Sequence, residues 1–272
     1  MTNIAFIGAG NMASAIIGGL IQSSDPQSIW ACDPSQEKLN DLQEQFGIQT
    51  TTNNLDAIPN VDVIILAVKP QVMEQVLAPL QSALQQKQPL IISVAAGINL
   101  ESLATWCGGD LPIVRCMPNT PALVGQGASG LFANDKTNAQ QKHISETILN
   151  AVGMSVWVNN ESELNAVTAV SGSGPAYYFL FMEAMIAAGE KLGLSKETAT
   201  SLTLKTALGA ATMASNSEID PSQLRKNVTS PNGTTEQAIK TFLENDFESL
   251  VDKALTAASD RSVSLSEELG VK

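Results

Sequence analysis

An apolar run, Ile4-Ala5-Phe6-Ile7, leads directly into Gly8-Ala9-Gly10-Asn11-Met12-Ala13 and a helical pattern from Met12 to Gln22. A strand that hands over to a helix through glycines at this spacing restricts the possible folds more than any other feature of the chain. Gly8 permits a tight turn, Gly10 lets backbone approach a bound group, and Ala13 keeps helix and strand close. The start of a helix leaves N–H groups without intrahelical partners, and such groups receive anions. The pattern predicts a dinucleotide diphosphate held at the end of the first strand.

The rest of the first half keeps the same alternation. Strands are predicted over Asn3–Ile7, Ser28–Cys32, Val61–Val68, Leu90–Ala95, Ile113–Met117 and Ser155–Val158. Helices are predicted over Met12–Gln22, Ser35–Phe46, Gln71–Gln86 and Gln140–Ala151. The run from Val63 to Val68 is continuously apolar, as a parallel strand covered on both faces should be. Strands alternating with helices imply a parallel sheet with right-handed crossovers. Beyond about Asn160 strand-like runs stop, and helical segments follow at 161–170, 174–192, 196–216, 221–227 and 234–269, the last interrupted near Asn245. The expected architecture is an α/β chain: a Rossmann-type, mostly parallel sheet domain over 1–160, then an all-α domain over 161–272. Within the latter, Tyr177-Tyr178-Phe179-Leu180-Phe181-Met182 is apolar all round and should be buried, in the core or against another subunit.

Composition narrows the function classes. A net charge of -12, with 15 scattered Lys and Arg, argues against nucleic acid as a partner. No apolar run approaches the roughly 20 residues of a membrane span. No basic segment precedes the first strand, so a signal peptide is not expected and the protein should be cytoplasmic. Cys32, Cys107 and Cys116 are odd in number and lack CxxC spacing, so neither a disulfide framework nor a metal site is expected.

Several positions are candidates for chemistry. Asp33 ends the second strand, where a carboxylate would hold a ribose 2′-OH and favour NAD over NADP. It also reads as the N-cap of a helix with Pro34 at its first position, and the two roles are compatible. Ala67-Val68-Lys69-Pro70 lies at a carboxyl strand end, where α/β sheets bind ligands; Lys69 reads equally as a solvated residue at a helix start. Asn53 and Asn54 read as ligand contacts or as turn and capping residues. Ser171-Gly172-Ser173-Gly174-Pro175-Ala176-Tyr177 precedes the apolar helix and exposes backbone N–H groups. In Leu224-Arg225-Lys226-Asn227-Val228-Thr229-Ser230-Pro231-Asn232-Gly233-Thr234-Thr235-Glu236, Thr234 and Thr235 lie at a helix start suited to a small carboxylate. Plain N-capping by Thr234 is the alternative. Met117-Pro118-Asn119-Thr120-Pro121 ends a strand and has a place beside a nicotinamide ring. The single histidine, His143, lies among Gln, Lys and Ser and reads as a surface residue, which disfavours a histidine general acid.

At these residues the sequence resembles the pyrroline-5-carboxylate reductase family along essentially its whole length. The resemblance rests on Phe6-Ile7-Gly8-Ala9-Gly10-Asn11-Met12, Ala67-Val68-Lys69-Pro70, Val94-Ala95-Ala96-Gly97 and Arg115-Cys116-Met117-Pro118-Asn119-Thr120-Pro121. Its most specific parts are Ser171 to Tyr177 and Val228 to Thr235. It implies the last step of proline synthesis, reduction of 1-pyrroline-5-carboxylate to L-proline by NADPH or NADH. It also implies a homodimer with interlocking helical domains, assembled further into a ring of dimers. Cofactor contacts then fall on Phe6, Ile7, Gly8, Ala9, Gly10, Asn11, Asp33, Asn54, Ala67, Val68, Lys69, Pro70, Ala95 and Ala96. Substrate contacts fall on Asn227, Thr234 and Thr235, and the Thr235 hydroxyl is the catalytic candidate that bonds or protonates the ring nitrogen.

Two positions depart from the family pattern. Family members often carry Ser or Thr where Asp33 stands, and a carboxylate there repels a 2′-phosphate. Asn232 stands where the family's Pro-Gly-Gly turn has a glycine, and Asn tolerates positive φ better than most residues.

Three rival classes fit less well. A β-hydroxyacid dehydrogenase needs a lysine soon after the domain boundary, and Asn165–Val170 has none. Ketol-acid reductoisomerase chemistry needs Mg²⁺, for which Glu183 and Glu190 have no evident partner. A non-catalytic dinucleotide sensor leaves the two specific loops without a ligand.

Overall fold

The computed structural model describes residues 2–22 and 28–271. The chain forms two compact units: one runs to Ser173 and takes in the chain again from Ala257, and the other is Gly174–Thr256.

In the first unit, among the described residues, eight strands form one sheet in the order β3-β2-β1-β4-β5-β6-β7-β8. They are β1 Ile4–Ile7, β2 Ile29–Cys32, β3 Gln49–Thr51, β4 Val63–Leu66, β5 Leu90–Ser93, β6 Ile113–Met117, β7 Gly127–Ala133 and β8 Gly153–Trp157. Pairing is parallel from β3 through β6, antiparallel between β6 and β7, and parallel again between β7 and β8. Every residue of β1, β4 and β5 is buried, as their unbroken apolar sequences require. Alternate side chains feed two separate cores. Phe6, Val63, Ile65 and Ile92 pack with Ile16, Ile17 and Leu20 on one face. Ala5, Ile7, Ile64, Leu66 and Ile91 pack with Leu77, Leu84, Leu103 and Trp106 on the other.

The sheet contains two strands that the sequence pattern missed. β3 is too short, at 3 residues, to show a period. β7 carries Gly127 and Gly130, which read as loop residues. A Cβ on Gly130 would sit 2.7 Å from Val167 Cγ1 and 3.2 Å from Leu164 Cδ2, so the glycine admits the helix Glu163–Val167 onto the strand. The helix predicted over Gln71–Gln86 is instead split into two short α-helices, Met73–Leu77 and Gln81–Lys87, by a 3-10 turn at Ala78–Leu80, because Pro79 interrupts the hydrogen-bond ladder. The helix Leu100–Trp106, capped by Asn99, also went unforeseen.

The compact units divide the chain elsewhere than at the expected boundary near residue 160. Glu163–Val167 and the π-turn Thr168–Gly172 pack on the sheet unit, and so do the last turns of the final helix, Phe247–Leu269.

The second unit is wholly helical, as expected: Gly174–Lys191, Lys196–Ser215, Pro221–Asn227, Thr234–Glu244 and the start of Phe247–Leu269. The break near Asn245 is real, and Asp246 turns the chain at φ +57°. Phe242 bridges Phe181 and Phe247, with ring centroids 6.1 and 5.6 Å away. The expected burial of Tyr177–Met182 is not met within one chain. Tyr178, Phe179 and Leu180 are 70%, 58% and 67% exposed, and Leu202 and Leu208 on the next helix are similarly open. Apolar surface left open on this scale marks a place of contact with another molecule.

Candidate active site

Strand order reverses between β1 and β4, which places the open crevice of the sheet at the carboxyl ends of those two strands. Gly8 follows β1 there. Its φ is +103°, its N–H donates to the Cys32 carbonyl at 2.7 Å, and a Cβ would lie 2.6 Å from the Ala67 carbonyl oxygen. Only glycine fits between the ends of β1, β2 and β4. Gly10 differs: it is the extended N-cap of the helix Asn11–Leu20, and a Cβ on it would meet nothing within 4 Å. The first turn of that helix carries no acidic residue. Unpaired amides with open space before them and no competing carboxylate in their own turn suit a diphosphate.

The other sheet-unit candidates surround this turn. Asp33 is 8% exposed, and both of its carboxylate oxygens are engaged. Oδ2 accepts the Ala9 N–H at 2.9 Å and Oδ1 accepts the Ser35 N–H at 2.9 Å, with Lys38 Nζ 3.8 Å from Oδ2. The carboxylate therefore braces the glycine turn against the end of β2. It does not cap the next helix as the sequence suggested, because that helix begins at Gln36 with Ser35 as its N-cap. Ala67 and Val68 are half-buried and Lys69 is exposed, just before a 3-10 turn begun by Pro70. Ala95 is buried and Ala96 half-buried beyond β5. Asn54 opens the short helix Asn54–Ala57 beyond β3, capped by Asn53. Phe6 and Ile7 point into the two cores, so only their backbone is available to a ligand.

In the helical unit, Pro231-Asn232-Gly233 turns the chain into Thr234–Glu244, with Asn232 at φ +59° as the left-handed position requires. The Asn232 N–H donates to Glu236 Oε2 at 2.7 Å, which fixes the turn to its helix. The N-cap is Gly233, so the capping role considered for Thr234 is not realised; Thr234 and Thr235 are the first two helical residues and both are exposed. Asn227 ends the preceding helix, and its Oδ1 accepts from Gln223 Nε2 at 2.8 Å.

Comparison with known proteins now decides the family. The description "Pyrroline-5-carboxylate reductase dimerisation" matches residues 161–265, and "NADP oxidoreductase coenzyme F420-dependent" matches residues 3–97. The pyrroline-5-carboxylate reductase of Pseudomonas aeruginosa is 55% identical over 268 residues, 98% of each chain. The chain belongs to the pyrroline-5-carboxylate reductase family. With it, the chain is an NAD(P)H-dependent oxidoreductase. Solved structures agree. That of the Coxiella burnetii pyrroline-5-carboxylate reductase is 46% identical, with a TM-score of 0.94 over 100% of this chain and 99% of its own. The Plasmodium falciparum enzyme, solved with NADP bound, is 31% identical with a TM-score of 0.85 over 97% and 98%.

One residue of this reductase fold was missed as an individual contributor. Asn119, 8% exposed in the loop after β6, donates from Nδ2 to the Ser171 carbonyl at 3.0 Å and accepts the Ala128 N–H at 2.8 Å. Gly172 meanwhile packs against the end of the Met117 side chain. Two loops read separately in the sequence are thus one assembly at the carboxyl edge, and no local pattern announces a contact across 52 residues.

His143 is a surface side chain, 78% exposed beside Glu146. Among the described residues no group of three His, Cys, Asp or Glu could hold a metal ion. All three cysteines are free and buried, and burial pushes each thiol up to about 12.

Proposed function

We propose that this reductase converts 1-pyrroline-5-carboxylate to L-proline, the last step of proline biosynthesis, with NADPH or NADH as reductant. The observation that carries this reading is the glycine turn at the carboxyl edge of the sheet, with its helix start facing open space ahead of Gly10. Backbone of Phe6 to Asn11, together with Asp33, Asn54, Ala67 to Pro70 and Ala95–Ala96, holds the cofactor. The bound dihydronicotinamide supplies a hydride for the ring carbon of the protonated imine, whose nitrogen keeps its proton.

The remaining work falls to this chain's own residues. The amides of Thr234 and Thr235 at their helix start take the substrate carboxylate, with Asn227, at the end of the preceding helix, as a further contact. The Thr235 hydroxyl, which no hydrogen bond engages among the described residues, bonds the ring nitrogen and fixes the face presented for reduction. A protonated imine is already electrophilic, so no strong protein acid is required, in keeping with a lone surface histidine.

In this reading residues 1–160 form the dinucleotide-binding domain and 161–272 the substrate-binding and dimerisation domain. The exposed apolar helices of the second unit support a homodimer, with dimers assembled into a ring, and the absence of any helix long and apolar enough to cross a membrane among the described residues accords with a cytoplasmic enzyme. Steady-state oxidation of NADH and NADPH tests the proposal. Absorbance should fall with 1-pyrroline-5-carboxylate and stay flat with 3-hydroxyacid precursors; the opposite pattern would assign the site to another reductase class.

A further inference from the structure

The final helix ends on the sheet unit in an unusually specific way. Ser262 is 4% exposed and its Oγ bonds Asn165 Oδ1 at 2.8 Å. One turn on, Leu265 packs on Gly97, and Leu269 follows on the same face: a Cβ on Gly97 would lie 3.4 Å from Leu265 Cβ and 3.5 Å from Leu269 Cδ1. Gly97 is buried at φ +74° and directly follows Ala95–Ala96. Two residues beyond Leu269, the Val271 N–H donates to the fully buried Ser102 Oγ at 3.0 Å. Ser102 belongs to the helix that Asn99 caps, and its own N–H donates to Asn99 Oδ1 at 2.8 Å. From the other side, Glu161 Oε1 accepts the Leu100 N–H at 2.7 Å and pairs with the buried Arg115 at 3.0 Å.

The segment 95–100 is therefore held at Gly97 and at Leu100 by residues remote in sequence. β5 stops at Ser93, and between it and the helix at Leu100 no strand or helix fixes the backbone of Ala95 and Ala96. Besides the Ala95 N–H, which donates to Ser93 Oγ at 3.4 Å, what holds this stretch is the apolar seat on Gly97 and the Val271–Ser102 hydrogen bond, both supplied by the C-terminal segment.

We infer that residues 262–271 are a positioning strap that holds the Ala95–Ala96 loop in its cofactor-receiving conformation. The inference rests on the reading that this loop contacts the cofactor. Leu265, Leu269 and Val271 touch neither cofactor nor substrate in that reading; they act through Gly97 and Ser102. Ordering the strap and binding the cofactor are linked, so each strengthens the other by the same factor.

The test uses the full-length enzyme with Leu269→Ala and, because that variant leaves a cavity, also Ser102→Ala, which removes only the acceptor for Val271. Equilibrium titration with NADH and NADPH should show both variants binding about fivefold or more weakly, the low end of coupling between linked sites. KM for 1-pyrroline-5-carboxylate should be unchanged, and Leu269→Met should restore binding. Hydrogen exchange on the wild type is the second readout: saturating cofactor should slow exchange of the amides in 262–271. Variants with lowered thermal stability but wild-type cofactor affinity, together with no protection of 262–271, would reduce the strap to ordinary packing and overturn the inference. If the wild type itself bound neither cofactor, the proposed function would fall instead, so the two failures are distinct.

Discussion

Gly8 and Gly10 are two residues apart, yet alanine at each should give opposite phenotypes. At Gly8 a methyl group would sit 2.6 Å from the Ala67 carbonyl oxygen and 2.7 Å from its carbon, and the residue would have to keep φ +103°. Backbone held between β1 and β4 cannot yield as a flexible side chain does. A non-glycine residue forced to such φ costs about 1–3 kcal/mol, and overpacking costs about 1–3 kcal/mol more. Gly8→Ala should therefore destabilise the sheet unit by about 2–6 kcal/mol, taking these together. At Gly10 the backbone is extended with φ -87° and the Cβ position is open. Gly10→Ala should leave the denaturation midpoint within about 0.5 kcal/mol of wild type, as surface changes do, while its methyl fills the space before the helix amides and weakens NAD(P)H binding tenfold or more, about 1.4 kcal/mol. Urea denaturation read by circular dichroism, paired with cofactor titration, separates the two. A stable Gly8→Ala protein, or a Gly10→Ala protein that binds cofactor normally, would refute the geometric reasoning.

Asp33→Ser removes the acceptor of two backbone N–H groups, so it should cost about 1–3 kcal/mol in stability. It should also raise the ratio of kcat/KM for NADPH over NADH; an unchanged ratio would leave Asp33 as a brace alone. The thiols of Cys32, Cys107 and Cys116, pushed by burial from 9.0 to about 12, give a pH dependence of definite sign. Below pH 9 both states keep their protons and stability is full. Between pH 9 and 12 the unfolded chain releases thiol protons that the folded chain retains, so each thiol removes about 1.4 kcal/mol per pH unit. Cys107→Ala should flatten this alkaline slope in denaturant midpoints by about a third of the thiol contribution, and an identical slope in wild type and variant would contradict it.

Local chemistry made much of this molecule legible. β1, β4 and β5 declare themselves because each is an unbroken apolar run, and the glycine turn because its spacing matches a strand-to-helix handover. The interruption at Asn245 and the left-handed Asn232 were readable from the residues themselves. What escaped detection depends on distant partners. β7 looks like loop until Val167 and Leu164 explain why Gly130 has no side chain. Asp33 looks like a helix cap until Ala9, 24 residues away in sequence, claims its carboxylate. The return of residues 257–271 to the sheet unit is invisible locally, since Ser262, Leu265 and Leu269 form only one more amphipathic face. The apolar run at Tyr178–Phe181 predicts burial from its composition alone, yet these side chains stay exposed within the single chain.

The Thr234–Thr235 helix start is the part of the proposed site that must meet the substrate. Steady-state kinetics of Thr235→Ala, with the cofactor dissociation constant measured in parallel, test it. The expected result is a loss of at least tenfold in kcat/KM for 1-pyrroline-5-carboxylate, about 1.4 kcal/mol of transition-state stabilisation, with NAD(P)H affinity unaltered. Wild-type kinetics in that variant would place the reaction somewhere other than at Thr235.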